Sequence, residues 1–159
     1  FADGVFPTGQ VRVERYAVDF KAFSEAGRKL ADLHLNYEKR PKPEQVIVER
    51  KADDYIVEKM KFKSKQDKSV IIYNNHITIK NIPLEAYDYV VNGRSAIEWI
   101  MERYQVKIDK ASQIKNDPND WAKEHNDPTY ILDLLLSVIT VSLETMKIVK
   151  GLPKVEFDK

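Results

Sequence analysis

The chain has 159 residues, of which 43% are hydrophobic, enough for one domain with a buried core. Its 26 lysine and arginine residues nearly balance 25 aspartate and glutamate residues, so the net charge of +1 excludes any global electrostatic argument for nucleic-acid or membrane binding. Cysteine is absent, which excludes disulfide bonds, cysteine-ligated zinc and cysteine nucleophiles, and agrees with a cytoplasmic location. The sequence begins at Phe1, and we expect it to be part of a longer polypeptide.

The first predicted element is a helix over about residues 17–40, where apolar residues recur at helical spacing until Pro41 ends the pattern. Residues 45–80 then predict a small antiparallel meander. The pair Asn74-Asn75 separates its last two strands and predicts a tight hairpin turn with positive φ. The four predicted strands cover residues 46–48, 55–62, 70–73 and 76–79.

Residues 83–153 are predicted to be mostly helical, with helices near 96–104, after Pro118, and from 128 to about 150. Polar residues interrupt the last and most apolar helix, which excludes a membrane span. The predicted fold class is therefore α+β, with helices from both ends of the chain packed on a small central antiparallel sheet. We expect residues 1–159 to form a single domain.

The segment YVVNGRSAIEWIMERY (residues 89–104) combines a polar turn with the start of a helix. Ser95 and Glu98 have the spacing of a capping box, and Gly93 suits the turn before them. Arg94 stands where an anion would meet the start of the helix. Trp99 lies off the apolar stripe, so we expect it to pack between layers or to contact a partner.

The sequence offers no recognisable catalytic or metal-binding constellation. His34, His76 and His125 have no metal-ligand spacing and no carboxylate at a recognisable interval. The hexapeptide NDPNDW (residues 116–121) partly resembles a loop of amino-methyltransferases, but it lacks the second proline and the adjacent aromatic residue. Helix capping explains it more simply, with Asp117 as the cap and Pro118 at the first helical position. Asp127-Pro128 has the same capping pattern. We expect the chain itself to be non-catalytic.

Alternating lysines between residues 59 and 65 are the main local charge feature. On a strand they share one face with Tyr55 and Val57, and residues 59–68 hold five lysines and one aspartate. Such a face could follow a phosphate backbone, or it could protect an exposed sheet edge from aggregation. The polar loop at 105–117 adds a second, weaker basic set.

The segments at residues 22–38 (AFSEAGRKLADLHLNYE), 89–121 and 130–153 occur in order along most of the chain. They resemble the C-terminal region of Type ISP restriction-modification enzymes and of related bacterial predicted helicases. The resemblance implies a parent with nuclease, helicase-type ATPase and adenine N6-methyltransferase regions, and a C-terminal target recognition domain. ATP, Mg²⁺ and S-adenosylmethionine would serve those other regions, so no cofactor is expected here.

Two functions remain open. As a target recognition domain, the chain would contact double-stranded DNA, with basic residues on phosphates and amides on base edges. As a docking module, it would pack on the adjacent methyltransferase region through the helix at 128–150 and Trp99. The candidate DNA-contacting residues are Lys59, Lys61, Lys63, Lys65, Asn74, Asn75, Arg94, Lys107, Lys110, Gln113, Lys115 and Asn116.

Overall fold

The computed structural model of the chain describes the backbone of residues 5–153 and the side chains of residues 17–153 except Lys39. The predicted domain also includes residues 1–4 and 154–159, which lie outside the described residues. The helices are α1 (Val5–Leu35), α2 (Ala96–Arg103), α3 (Asn119–Glu124) and α4 (Tyr130–Lys150). The strands are β1 (Ile47–Arg50), β2 (Lys61–Phe62), β3 (Ile71–Ile72), β4 (Ile77–Lys80), β5 (Val90–Val91), β6 (Arg94–Ser95), β7 (Lys107–Ile108) and β8 (Lys115–Asn116).

The largest sheet has the order β1-β4-β3-β2 with antiparallel neighbours, which leaves β2 at one edge. Strands β2, β3 and β4 follow one another as a meander, whereas β1 pairs with β4, the last of the four. The chain also forms helices before and after this sheet in sequence: α1 precedes it, and α2, α3 and α4 follow it. The predicted α+β fold class is confirmed.

Helix α4 provides much of the core. Its residues Leu132, Leu135 and Ile139 are fully buried in one hydrophobic cluster with Ile71 and Ile77 of the sheet. All six apolar residues between 134 and 141 on α4 are buried, so this stretch has no free apolar face for a neighbouring domain. The docking hypothesis for this stretch is therefore wrong. No helix in the described part of the chain is long and apolar enough to cross a membrane.

Two buried hydroxyl groups of α4 form hydrogen bonds with the basic segment at residues 39–43 (KRPKP), which follows α1. Ser137 Oγ donates a hydrogen bond to the carbonyl of Arg40 at 2.7 Å, and Thr140 Oγ1 donates to the carbonyl of Pro41. These bonds satisfy backbone oxygens that no strand partner reaches. They explain why polar residues interrupt an otherwise apolar helix.

Helix α1 begins at Val5, well before the predicted start, and ends at Leu35. Among its described side chains, only Ala26 and Leu33 are buried apolar residues. The exposed fractions of Val18 and Phe20 are 67% and 76%. Helical periodicity therefore predicted the helix correctly, but an apolar face on this helix does not imply burial.

The predicted strand at 55–62 is regular only at Lys61–Phe62. Its earlier backbone bonds to other groups: Asn119 accepts from the amide of Val57 at 2.9 Å and donates to its carbonyl at 2.7 Å. The amide of Val106 donates to the carbonyl of Glu58. Val57 is consequently buried while Lys59 is exposed, so the expectation that they share a face is wrong.

The hairpin turns also differ from the prediction. Positive φ occurs at Asn92 (51°) and Gly93 (85°), between β5 and β6, and not at Asn74-Asn75. Instead, Asn74 Oδ1 accepts hydrogen bonds from the amides of His76 and Ile77, which closes a wider loop. Strands β7 and β8 form another hairpin inside the predicted polar loop.

Candidate nucleic-acid interface

The four alternating lysines, Lys59, Lys61, Lys63 and Lys65, are all exposed. They lie on and beside β2, the edge strand, with Met60 buried between the first two. No ion pair joins any of the four to a carboxylate of the described residues. Their positive charge is therefore available to a polyanion.

A surface cavity of about 550 Å³ separates β2 from α2, and we call it the β2–α2 cavity. Lys59 and Lys61 line one side, and Arg94 lies with them although it is far away in sequence. Gln105, which follows α2, also lines it. The fold thus brings three of the sequence-predicted cations to one concave surface.

The start of α2 is built as the sequence predicted. Ser95 Oγ accepts a hydrogen bond from the Glu98 amide at 3.2 Å, and the Ser95 amide donates to Glu98 Oε2 at 3.4 Å. This capping box is confirmed. It fixes the end of β6 against α2, and so fixes the backbone that carries Arg94.

Lys68 has a different environment from the four exposed lysines. Its Nζ lies 2.8 Å from Glu98 Oε1 and 5.7 Å from the ring centroids of both Phe62 and Tyr87. The hydrogen bond and the charge of Lys68 lower the pKa of Glu98, against the opposing effect of burial. Lys68 therefore stabilises the fold, and its charge is already paired.

The second exposed feature is the β7–β8 hairpin, residues 107–116, whose residues are all exposed. Its loop is held by Asp109: the Gln113 amide donates to the Asp109 carbonyl, and the Ala111 amide donates to Asp109 Oδ1. Hydrogen bonds from Ala111 and Ser112 lower the pKa of Asp109. The hairpin presents a mixture of cations, amides and apolar side chains: Lys107, Ile108, Lys110, Gln113, Ile114, Lys115 and Asn116.

A second cavity, of about 590 Å³, lies at the base of this hairpin. Lys107, Asn116 and Trp121 line it, and so does Gln105, which also lines the β2–α2 cavity. The two surfaces are therefore contiguous. Trp121 and Tyr130, whose ring centroids are 4.1 Å apart, both line the second cavity and give it an aromatic wall.

The residues after the hairpin are tied to the fold. Asp117 Oδ1 accepts from the amide of Asn119 at 3.0 Å, as expected for a residue that caps a helix. Burial raises the pKa of Asp117, but hydrogen bonds from Asn119 and Lys115 outweigh it, so the net shift is downward. Lys115 Nζ lies 3.5 Å from Asp117 Oδ2, which partly neutralises this lysine. Asp127 Oδ1 instead accepts from the Thr129 hydroxyl at 3.4 Å, and α4 begins with no side-chain cap, so the expected capping by Asp127 is wrong.

Asn74 and Asn75 lie apart from the residues described so far, and neither lines the two cavities. The side-chain nitrogen of Asn74 donates to the carbonyls of Asp54 and Ile56 at 2.7 and 3.0 Å. Its oxygen accepts two backbone amides, so the whole amide group serves the fold. Asn75 is exposed.

Sequence analysis did not identify Gln105, Trp121 or the projecting hairpin. The dipeptide Asn92-Gly93 carried a signal for the β5–β6 hairpin, since it is a strong hairpin turn sequence. No comparable signal marks the β7–β8 hairpin, whose positive φ falls on Gln113. Within the described residues no group of three or more histidine, aspartate or glutamate side chains is arranged to hold a metal ion.

The sequence matches the family described as the Type ISP C-terminal specificity domain over residues 10–134. Its fold is similar to part of a nuclease-deletion mutant of the Type ISP restriction-modification enzyme LlaGI in complex with a DNA substrate mimic. The identity is 54%, the TM-score is 0.80, and the match covers 87% of this chain and 13% of that one.

The ATP-dependent Type ISP restriction-modification enzyme LlaBIII bound to DNA is 52% identical, with a TM-score of 0.81 over 87% of this chain and 9% of that chain. A DrdV–DNA complex is 27% identical, with a TM-score of 0.65 over 84% of this chain and 14% of that chain. No protein with a curated description matches. The chain thus spans only a small fraction of these enzymes. It belongs to the Type ISP C-terminal specificity domain family.

Proposed function

We propose that this chain recognises duplex DNA for a larger restriction-modification polypeptide. The observation that carries the proposal is the contiguous surface formed by the β2 edge, the β2–α2 cavity and the β7–β8 hairpin, which meet at Gln105. The exposed lysines supply sequence-independent attraction to phosphates. Two-stranded ribbons such as the β7–β8 hairpin fit the major groove, where amides can read base edges.

The relatives support this proposal, because both Type ISP structures were determined with DNA or a DNA mimic. The parent would supply nuclease, ATPase and adenine methyltransferase activities with ATP, Mg²⁺ and S-adenosylmethionine. This chain would perform no chemistry. Within the proposed interface we include Lys59, Lys61, Lys63, Lys65, Arg94, Lys107, Lys110, Gln113, Lys115 and Asn116, and we leave out Asn74 and Asn75.

Duplex binding by the 159-residue chain tests the proposal. Fluorescence anisotropy at several salt concentrations should give an affinity that falls steeply with salt, because counterions are released from the contacted phosphates. A variant with Lys59, Lys61 and Lys63 changed to alanine should bind more weakly. A folded chain that binds no duplex at low salt would overturn the proposal.

A second role, docking on the adjacent methyltransferase region, is favoured by α1 and not by α4. Val18 and Phe20 are largely exposed on α1, and Phe23 is 37% exposed, although all three are apolar. Exposed apolar residues at neighbouring positions are typical of surfaces that meet another protein region. Co-purification with a separately expressed methyltransferase region should be lost when Phe20 and Phe23 are changed to serine.

A further inference from the structure

Arg94 differs from every other cation of the proposed interface in how it is held. It is the first residue after the Asn92-Gly93 turn, in a short two-stranded ribbon formed by β5 and β6. Asn92 and Gly93 both have positive φ, which is the backbone of a tight primed turn. The ribbon ends in the capping box of α2, so the backbone of Arg94 is fixed on both sides.

The guanidinium group itself is held by two side chains of α2. Its central carbon lies 5.6 Å from the ring centroid of Trp99, and Nη1 forms an ion pair with Glu102 Oε2. Trp99 is itself fixed, because its Nε1 donates a 2.6 Å hydrogen bond to the carbonyl of Val91 in the same ribbon. Stacking and pairing together limit the rotation of the guanidinium plane.

This arrangement suits a base contact better than a phosphate contact. A phosphate contact needs net positive charge more than orientation, and the exposed Lys59, Lys61 and Lys63 already provide it. Pairing with Glu102 reduces the net charge of Arg94 but leaves other N–H donors of its planar fork free. A fixed fork of donors matches two acceptors side by side, as guanine presents at N7 and O6 in the major groove.

The surroundings of Arg94 agree with this geometry. It lines the β2–α2 cavity together with Lys59, Lys61 and the carboxylates of Glu98 and Glu102, so a duplex whose phosphates meet the lysines would bring base edges near the arginine. The neighbouring Val90 and Val91 are 56% and 40% exposed, and they give the ribbon an apolar surface suited to base edges. Half of the Arg94 side chain remains accessible, at 51%.

We propose that Arg94 is a specificity-determining residue that donates hydrogen bonds to N7 and O6 of one guanine in the major groove. Trp99 and Glu102 are positioning residues that hold its guanidinium group. This inference rests on the proposed function, because it requires that the chain binds duplex DNA. It assigns one base and one groove to a single side chain of that surface.

Selection from a duplex library with a randomised core tests the assignment, using the 159-residue chain, followed by affinity measurements on single-base variants of the selected site. With Arg94→Ala, we expect discrimination at one guanine position to fall by about 5- to 150-fold, with preferences elsewhere retained. Lys61→Ala is the matched control, because loss of a phosphate contact should weaken all duplexes equally. An Arg94→Ala variant that behaves as this control does, with a salt slope reduced by about 1, would overturn the guanine assignment and leave the proposed function intact.

Glu102→Gln separates positioning from folding, because it keeps both the arginine and the size of its partner. We expect weaker guanine discrimination together with equal or tighter binding to other duplexes, since one negative charge is removed beside the DNA. Tighter binding with an unchanged guanine preference would show that Glu102 only opposes phosphate binding and would sink its positioning role. Failure of the wild-type chain to bind any duplex would remove both the proposed function and this inference.

Discussion

Lys68 Nζ lies 2.8 Å from Oε1 of Glu98, and the two residues belong to different parts of the fold. Lys68 lies in the connection between β2 and β3, whereas Glu98 closes the capping box of α2. The pair therefore joins the sheet edge that carries the exposed lysines to the helix that supports Arg94. The Tyr87 hydroxyl adds to this link by donating to the Lys68 carbonyl at 2.5 Å.

Lys68→Met should destabilise the fold in a pH-dependent way. Because the hydrogen bond and charge of Lys68 lower the folded-state pKa of Glu98, the pair stabilises the protein above the ordinary glutamate pKa of about 4.3. That contribution is lost as the pH falls through the lower folded-state value. Urea unfolding should give a difference of about 1 kcal/mol near neutral pH that shrinks in acid.

Lys80→Met is the control for this prediction. Lys80 also pairs with a glutamate, Glu49 at 2.7 Å, but both side chains are about half exposed. Its removal should change the free energy of unfolding by about 0.5 kcal/mol or less. A Lys68→Met effect of constant size from neutral to acidic pH would contradict the proposed link.

Asn119→Ala should be strongly destabilising, although asparagine is usually a surface residue. Asn119 is 4% exposed, and its amide binds both the N–H and the carbonyl of Val57, 62 residues earlier in the chain. Alanine would leave two buried backbone groups without partners, at a cost of about 1–3 kcal/mol each. Chemical denaturation measures the change.

The exposed Asn116 provides the comparison for Asn119. Asn116→Ala should leave stability within about 0.5 kcal/mol, because its side chain is exposed on the β7–β8 hairpin. Equal stability of the two variants would mean that the Val57 segment finds other partners when the amide is absent.

Helix α1 permits a comparison between a buried and an exposed apolar residue. Leu33 is 2% exposed, so Leu33→Ala should destabilise the chain by about 2–5 kcal/mol. Phe20 is 76% exposed, so Phe20→Ser should leave the melting temperature nearly unchanged in the isolated chain. A marked loss of stability in Phe20→Ser would show that this face packs within the chain, and it would remove α1 as the docking surface.

The sequence predicted the features that depend on local chemistry. The capping box at Ser95 and Glu98, the helical periodicity of α4 and the α+β class all follow from spacing, and all agree with the structure. The prediction of a strand at 55–62 was wrong because the side chain of Asn119, distant in sequence, forms hydrogen bonds with the backbone amide and carbonyl of Val57. Side-chain to backbone bonds over such separations leave no periodic signal.

The candidate site also combines features that local sequence predicts with features that depend on long-range contacts. Alternation predicted that Lys59 and Lys61 would be exposed, but only the fold brings Arg94 into the same cavity. The amide of Asn74 is used within its own loop, which its composition could not reveal. Only the structure identifies Gln105 as a candidate, because it lines both cavities. This position depends on the path of the chain from α2 to the β7–β8 hairpin.

Changing Lys59, Lys61 and Lys63 together to alanine should reduce the salt dependence of duplex binding. Each phosphate contact contributes about −0.9 to the slope of log affinity against log salt, so the slope should become shallower by about 2–3. All three side chains are exposed beside the edge strand, so stability should change little. Affinity should fall by similar factors on all duplexes, because phosphate contacts carry no sequence information.

A charge-matched control distinguishes local contacts from the loss of net charge. Lys21, Lys29 and Lys80 are cations of α1 and β4 outside the proposed interface, and their replacement by alanine removes the same total charge. The control should keep nearly the wild-type slope, because screening confines electrostatic effects to about 10 Å at ordinary salt. If both triple variants shift the slope equally, the β2 edge makes no direct phosphate contact, and its lysines serve only to protect the edge strand.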